Sequence, residues 1–279
     1  MKPALEPGQV VELAPGVRRL VAPNPGMMTG PGTNTYLLGV DDVAVIDPGP
    51  SIDRHIDAIV DAARGTIRWI LVTHTHPDHS PGALSLAGTT GATLIGSPAG
   101  SGPHQDSSFV PERIPEDGET ITTPEFALEA IHTPGHASNH FCYRHVALEW
   151  LFTGDHIIDG STVVIDPPDG NMANYLQSLE KLKRADIAAI VPGHGNLLEN
   201  PREVIDWIID HRLQREAKVV HALDRHPGLT LAALVRPVYD DVDESLHPVA
   251  ERSLLAHLEK LLADRRALKY GDRWFPVSE

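Results

Sequence analysis

The stretch IRWILVTHTHPDH, residues 67–79, constrains the fold of this chain more than any other. Its first half is rich in β-branched and aromatic residues and reads as a buried strand. Its second half sets His74, His76, Asp78 and His79 at the strand's exit. Burying titratable groups is costly unless they find partners, so this strand must end at a polar site on the rim of a core. On an extended strand end, His74 and His76 project to the same side. A turn at Pro77–Asp78 then swings Asp78 and His79 back toward a neighbouring point. Imidazole nitrogens and carboxylate oxygens both suit first-row metals, so this one loop can supply half the ligands of two adjacent ions. An HxH pair by itself reads equally as a solvated polar loop.

The same junction recurs along the chain. His136 lies in HTPGH, Asp155 in FTGD and His194 in VPGHG, each where an apolar strand meets a turn. Open α/β architectures carry their sites at such strand ends. The ordered set HxHxDH, H, D, H argues against a chance scatter of polar residues. Asp47, in VIDPG, stands at a similar junction and reads either as a turn residue or as a support for the metal loop.

Strands are expected over 34–39, 43–47, 67–73, 92–97, 126–133, 140–145, 148–155 and 187–194, bounded mostly by Gly, Pro, Asp or Asn. Helices are expected over 51–63, 80–86 and 174–185, the last with Leu176, Leu179 and Leu182 on one face. Pro201 suits the first turn of a longer helix beginning PREVIDWII. Strands interleaved with helices give a layered α/β class. The chain divides into a main domain over 1–224 and a lobe over 225–279, read as helix, helix and hairpin in a winged-helix-like α+β arrangement. From His226 to Glu279 the lobe carries seven basic and nine acidic residues. Nucleic-acid readers are basic, so packing or homodimer formation is the expected role of the lobe, and no DNA binding is expected.

Charge narrows the partners. Lys and Arg total 23 against 38 Asp and Glu, a net charge of −15 that repels polyanions on average. Bound divalent cations would still make a cleft locally positive. No apolar run nears the roughly 20 residues of a membrane helix, and the first residues lack a secretory pattern, so a cytoplasmic location is expected. Cys142, the only cysteine, excludes an internal disulfide and reads as a small buried hydrophobe.

The ordered ligands resemble the metallo-β-lactamase superfamily over about residues 8–200. That resemblance implies an αββα sandwich with two divalent metal ions, usually zinc, at one edge. His74, His76 and His136 would hold the first ion, and Asp78, His79 and His194 the second. Asp155 would bridge both, and Asp47 would support the loop. NPGMMTGPGTNTYLLG (24–39), GSTVVIDPPDGNMANYLQSLEKL (160–182), PGHG (192–195) and HRLQRE (211–216) are similar to the β-lactamase-like-protein-two family. Its animal members are single-strand-selective endoribonucleases, and its pattern includes the C-terminal winged-helix-like lobe. The glycine-rich stretch near the start lacks the G-K-[ST] ending of a phosphate cradle and reads as turns leading into a strand.

These resemblances imply a hydrolase in which a hydroxide shared by two metals attacks carbon or phosphorus. Asp78 is expected to orient that nucleophile as well as ligate. His140, four residues after His136, is a candidate proton donor or substrate contact, with a supporting or structural role equally open. Resemblance favours phosphodiester cleavage of single-stranded RNA. The net negative charge favours a thioester, lactone or other small ester, as in the glyoxalase II branch. True β-lactamases usually lack the bridging aspartate, which leaves at most a weak promiscuous β-lactamase activity. A non-catalytic metal-binding module fits poorly with a full set of seven ligands.

Overall fold

The computed structural model describes residues 5–277. Six strands form the first sheet in sequence order. They are β1 (Val10–Ala14), β2 (Val17–Val21), β3 (Asn34–Leu38), β4 (Asp42–Ile46), β5 (Thr66–Leu71) and β6 (Thr93–Ile95). The first four pair antiparallel in succession, whereas β4, β5 and β6 run parallel. Parallel neighbours need crossovers, and these are helices α1 (Asp53–Ala63) and α2 (Gly82–Thr90). Both lie on one face of the sheet, where Ile56, Ile59, Ala83 and Leu86 pack on Leu37, Val45, Ile70 and Val72. The apolar run of β4 and the apolar end of β5, Trp69–Leu71, follow from burial on two faces.

A second sheet holds β7 (Thr120–Thr122), β8 (Ala127–His132), β9 (Phe141–His145), β10 (Trp150–Gly154) and β11 (Ala189–Pro192), ordered β11-β10-β9-β8-β7. The two sheets meet face to face. Tyr36, Leu38, Ile46 and Leu71 interdigitate with Leu128, Tyr143, Phe152 and Val191, and the Tyr36 and Phe152 rings meet edge to face at 5.1 Å. The outer face of the second sheet is covered by α3 (Met172–Leu182) and the first half of α4 (Pro201–Arg225), through Tyr175, Leu179, Ile205 and Ile208. The layers are therefore helix, sheet, sheet, helix, the expected αββα order.

The second half of α4 enters another core. Val219 and Leu223 pack with Leu234, Leu254, Leu258 and Trp274 from α5 (Leu231–Val238), α6 (His247–Ala263) and a small sheet. That sheet orders β12 (Leu229–Thr230), β14 (Arg273–Pro276) and β13 (Ala267–Tyr270). Helix, helix and hairpin thus form the winged-helix lobe, with α4 shared between both cores.

Three strands escape the sequence pattern. β1 and β2 precede the first expected strand, and β2 reads VRRLV, with two arginines that suggest a surface. Both arginines are buried. Arg18 donates from Nη1 to the carbonyls of Ala62, at 2.5 Å, and Ala63, at 2.8 Å, closing the end of α1. β7 has only three residues, too few for a visible alternation. Helix limits move by two to four residues: α1 starts at Asp53, α2 covers Gly82–Thr90, and α3 covers Met172–Leu182, opened by the Asn171 side chain accepting from Asn174 N.

Directionality sets the site. β4, β5 and β6 share one direction, as do β8, β10 and β11, and their carboxyl ends gather on one rim of the sandwich. Gly135 holds part of that rim in place. It has φ 148°, and a Cβ there would lie 2.3 Å from Tyr175 Cα at the start of α3. Gly135→Ala should cost about 1–3 kcal/mol of stability by overpacking and shift His136. Chemical denaturation together with metal affinity tests this; a variant unchanged in both would refute the role given to this glycine.

Candidate metal centre

Every sequence-predicted ligand sits on this rim. His74, His76 and His136 form one group and Asp78, His79, Asp155 and His194 another, the ligand atoms in each lying within 4.8 Å of one another. In the first group, His76 Nδ1 lies 2.9 Å from His74 Nε2 and 3.0 Å from His136 Nε2. Neighbouring acceptors fix the tautomers. His136 Nδ1 donates to the Val164 carbonyl at 2.7 Å, so its Nε2 presents a lone pair. The Thr73 hydroxyl donates to Asp47 Oδ2 at 2.7 Å and so accepts from His74 Nδ1 at 3.1 Å, leaving a lone pair on His74 Nε2 as well. A single proton on His76 Nδ1 satisfies at most one of these two. A cation between the rings would satisfy all three.

The second group has the same character. His79 Nδ1 donates to Asp47 Oδ2 at 2.9 Å, and His194 Nδ1 to the Gly32 carbonyl at 3.3 Å. Their Nε2 atoms turn inward. His79 Nε2 lies 3.4 Å from Asp78 Oδ2 and 3.3 Å from Asp155 Oδ1, and His194 Nε2 lies 3.2 Å from both oxygens. These are Coulombic distances without hydrogen-bond alignment, for His79 Nε2, His194 Nε2 and Asp155 Oδ1 are buried with no hydrogen-bond partner. Asp155 faces both groups, its Oδ2 lying 3.7 Å from His136 Nε2. Orphaned, converging nitrogen and oxygen donors are what a divalent metal ion satisfies. The residues therefore fit metal ions.

Asp47 is the fixed point behind this arrangement. It follows β4 with φ 50°, and its carboxylate accepts from Thr73 N, Thr73 Oγ1 and His79 Nδ1. One side chain thereby orients ligands of both groups. Sequence reasoning passed over Thr73, although its place beside His74 was a signal. It also passed over the Gly32 and Val164 carbonyls, which side-chain identity cannot reveal.

The two groups differ electrostatically. Burial, reinforced by neighbouring imidazoles, holds His74 well below the ordinary histidine range, and burial takes His76 down to about 3. Burial also lowers His136. His79 and His194 feel the same burial, yet the carboxylates around them reverse it: Asp78, Asp155 and Asp47 lift His79 well above 6.5, and Asp155 and Asp78 lift His194 to about 10. Against burial, those imidazoles in turn hold Asp78 and Asp155 below the usual carboxylate range.

His140 lies elsewhere. It is fully buried behind His74, with ring centroids 5.0 Å apart in a stacked arrangement. Its Nδ1 lies 3.0 Å from Thr133 Oγ1. Having no exposed surface, it supports the His74 ring and offers no face to a substrate.

In front of the ligands lies a cleft of about 920 Å³. His76, Asp78, His136 and Asp155 line one side, and Tyr239, Val242, Leu246 and Val249 of the C-terminal lobe line the other. Met27 and Met28 also line it, with 76% and 49% of their surface exposed. Three guanidiniums reach the cleft, and each donates to a protein acceptor, although Arg212 Nε has none. Arg212 donates to the Val163 carbonyl, Arg215 to the Val238 carbonyl and Asp241, and Arg252 to Asp166.

Comparison with known proteins gives the same picture. The pattern described as the metallo-beta-lactamase superfamily matches residues 28–194, and that of the beta-lactamase associated winged helix domain matches residues 230–274. The chain is 34% identical to a beta-lactamase-like protein 2 homolog of Drosophila melanogaster, over 96% of each chain. It belongs to the metallo-β-lactamase superfamily. An atrochrysone carboxyl ACP thioesterase of Aspergillus fumigatus is 29% identical over 91% of this chain and 82% of its own length. The fold matches that of a beta-lactamase domain protein from Burkholderia ambifaria, with a TM-score of 0.83 at 22% identity, covering 99% of this chain and 95% of that one. Members of this superfamily are hydrolases, and this chain carries the hydrolase fold together with His/Asp groups able to bind metal ions.

The charge asymmetry predicts how such a centre loads. At pH 7 the first group is already neutral, whereas His79 and His194, with raised pKa values, hold protons that a metal must displace. Filling the second group should release about two protons and filling the first about none. Calorimetric metal titrations in buffers of different ionisation enthalpy measure this. Equal release at both steps would contradict the assignment.

Proposed function

We propose that this metallo-β-lactamase superfamily member is a dinuclear, zinc-dependent hydrolase of small uncharged acyl substrates, a thioester or other ester. The observation that carries the reading is the cleft. Its three guanidiniums each donate to a protein acceptor, with only Arg212 Nε left over, its far wall carries apolar side chains, and the whole chain carries a net charge of −15. A phosphodiester backbone draws its affinity from free cationic side chains, and each guanidinium of this cleft is already bonded to at least one protein acceptor. A thioester needs only a polarised carbonyl and an apolar surface for its acyl arm. The thioesterase similarity supports the same class.

When bound, the two ions would supply Lewis acidity toward the scissile oxygen and lower the pKa of a water molecule held beside it. The chain's own residues set the geometry. His74, His76 and His136 would hold one ion, and Asp78, His79 and His194 the other. Asp155, facing both groups, would fix their separation. Asp78 is the most exposed of the second group's ligands and would also orient the attacking water. Its Oδ2 is steadied by Thr33 Oγ1 at 3.4 Å. His140 would act as a positioning residue, keeping His74 in register from behind. The lobe's Val242, Leu246 and Val249 would bound the acyl arm.

Cleavage of single-stranded RNA is the second reading, favoured by the similarity to beta-lactamase-like protein 2 homologs along nearly the whole chain. One panel separates the two. Zinc-loaded protein is assayed on an acyl thioester, a lactone, a β-lactam and labelled single-stranded RNA, beside an Asp78→Ala/His79→Ala double variant. Thioester turnover should exceed that on the other substrates and fall at least a thousandfold in the double variant. RNA cleavage that is abolished by the double variant, with no ester turnover, would replace the acyl reading by the nuclease one. Activity on all substrates that survives chelation would end both.

A further inference from the structure

A second cleft, of about 810 Å³, opens on the sandwich away from the metal centre and shares no lining residue with the first. It lies where β2 of the first sheet approaches β10 and the segment 196–200 of the second. Arg19, in the middle of β2, lines it. That side chain is only 2% exposed, and its Nε and Nη2 have no hydrogen-bond partner. Among the described residues no carboxylate forms an ion pair with it; burial holds the guanidinium below its usual pKa, with Tyr36 acting in the other direction. A buried cation with unpaired donors is costly, and the cost falls when an anion reaches it.

A second feature points into the same cleft. Helix α4 begins there, at Asn200 and Pro201, and Asn200 makes no side-chain capping bond. The open N–H groups and the positive end of a 25-residue helix favour an anion. Trp150 and Trp207 also line the cleft and offer flat apolar surface, Trp207 with 52% of its area exposed. Glu199 and Glu203 stand exposed on the lining and repel multiply charged ligands.

We propose that this cleft is a binding site for a small flat monocarboxylate, such as an aromatic acid. The carboxylate would approach Arg19 and the start of α4, and the ring would lie along Trp150 and Trp207. The two exposed glutamates disfavour a doubly charged anion such as phosphate more than a singly charged carboxylate. The site is independent of the hydrolase reading and is tested by binding alone.

The probe is benzoate, titrated into metal-loaded protein and followed by tryptophan fluorescence and by the rise in thermal midpoint. Saturable binding is expected, with inorganic phosphate at least tenfold weaker. Trp207→Ala, an exposed position outside the metal centre, should lose about tenfold in affinity while keeping its metal content. Arg19→Met should abolish the benzoate-induced rise in midpoint, and because it removes an uncompensated buried charge, its midpoint without benzoate should not fall. Should Arg19→Met fail to fold, Trp207→Ala decides. Absence of saturation in the wild type, or equal affinity in Trp207→Ala, would overturn the proposal; the latter would mean that the carboxylate binds the metal ions instead. Phosphate binding as tight as benzoate would overturn it too.

Discussion

The structure depends on bringing seven nitrogen- and oxygen-bearing side chains together on a largely buried rim. Imidazole nitrogens of His74, His76 and His136 lie 2.9 and 3.0 Å from one another, and with His74 and His136 already committed on their far sides to a hydroxyl and a carbonyl they cannot all satisfy themselves within the protein. What holds them there is the sandwich. Leu71, Ile46, Leu128, Phe152 and Val191, buried between the sheets, stand on the strands whose ends carry Asp47, the 74–79 loop, His136, Asp155 and His194. The stabilisation from that core offsets the strain at its rim, and a bound cation converts the strain into coordination.

Most of the centre was legible in the sequence because its information is local. A residue type, a strand pattern and the turn that follows determine which side chain emerges at a strand's carboxyl end. That logic yields His74, His76, Asp78 and His79 from a single loop, and His136, Asp155 and His194 from three others. It also yields Asp47, whose carboxylate binds Thr73 and His79. Long-range backbone contacts were invisible for the converse reason. The carbonyl that sets the His194 tautomer belongs to Gly32, 162 positions away, and no side-chain pattern encodes it. β2 was hidden by its own composition: Arg18 and Arg19 read as surface, yet one closes α1 and the other lines a cleft. For His140 the sequence left a substrate contact and a supporting role equally open; the residue is buried just before β9, against the His74 ring.

The lobe's acidic balance acquires a different meaning beside the cleft. A winged helix that read nucleic acid would present cations outward. Here Arg215 of α4 turns inward to Asp241 and the Val238 carbonyl, and the Tyr239 ring stacks against it at 4.3 Å. Arg252 of α6 reaches across to Asp166 of the main domain. The lobe's cationic side chains at this border therefore tie the lobe down.

That attachment has a consequence for the cleft. With α4 running through both hydrophobic cores, the lobe is held against the metal centre by a continuous helix as well as by the Arg252–Asp166 pair. Val242, Leu246 and Val249 consequently form a fixed wall opposite the ligands. Without them the centre would face open solvent on that side, and a neutral substrate would have little surface to bind. On the acyl reading proposed above, that wall would give an apolar substrate its contact area, so selectivity would reside in the lobe and reactivity in the sandwich.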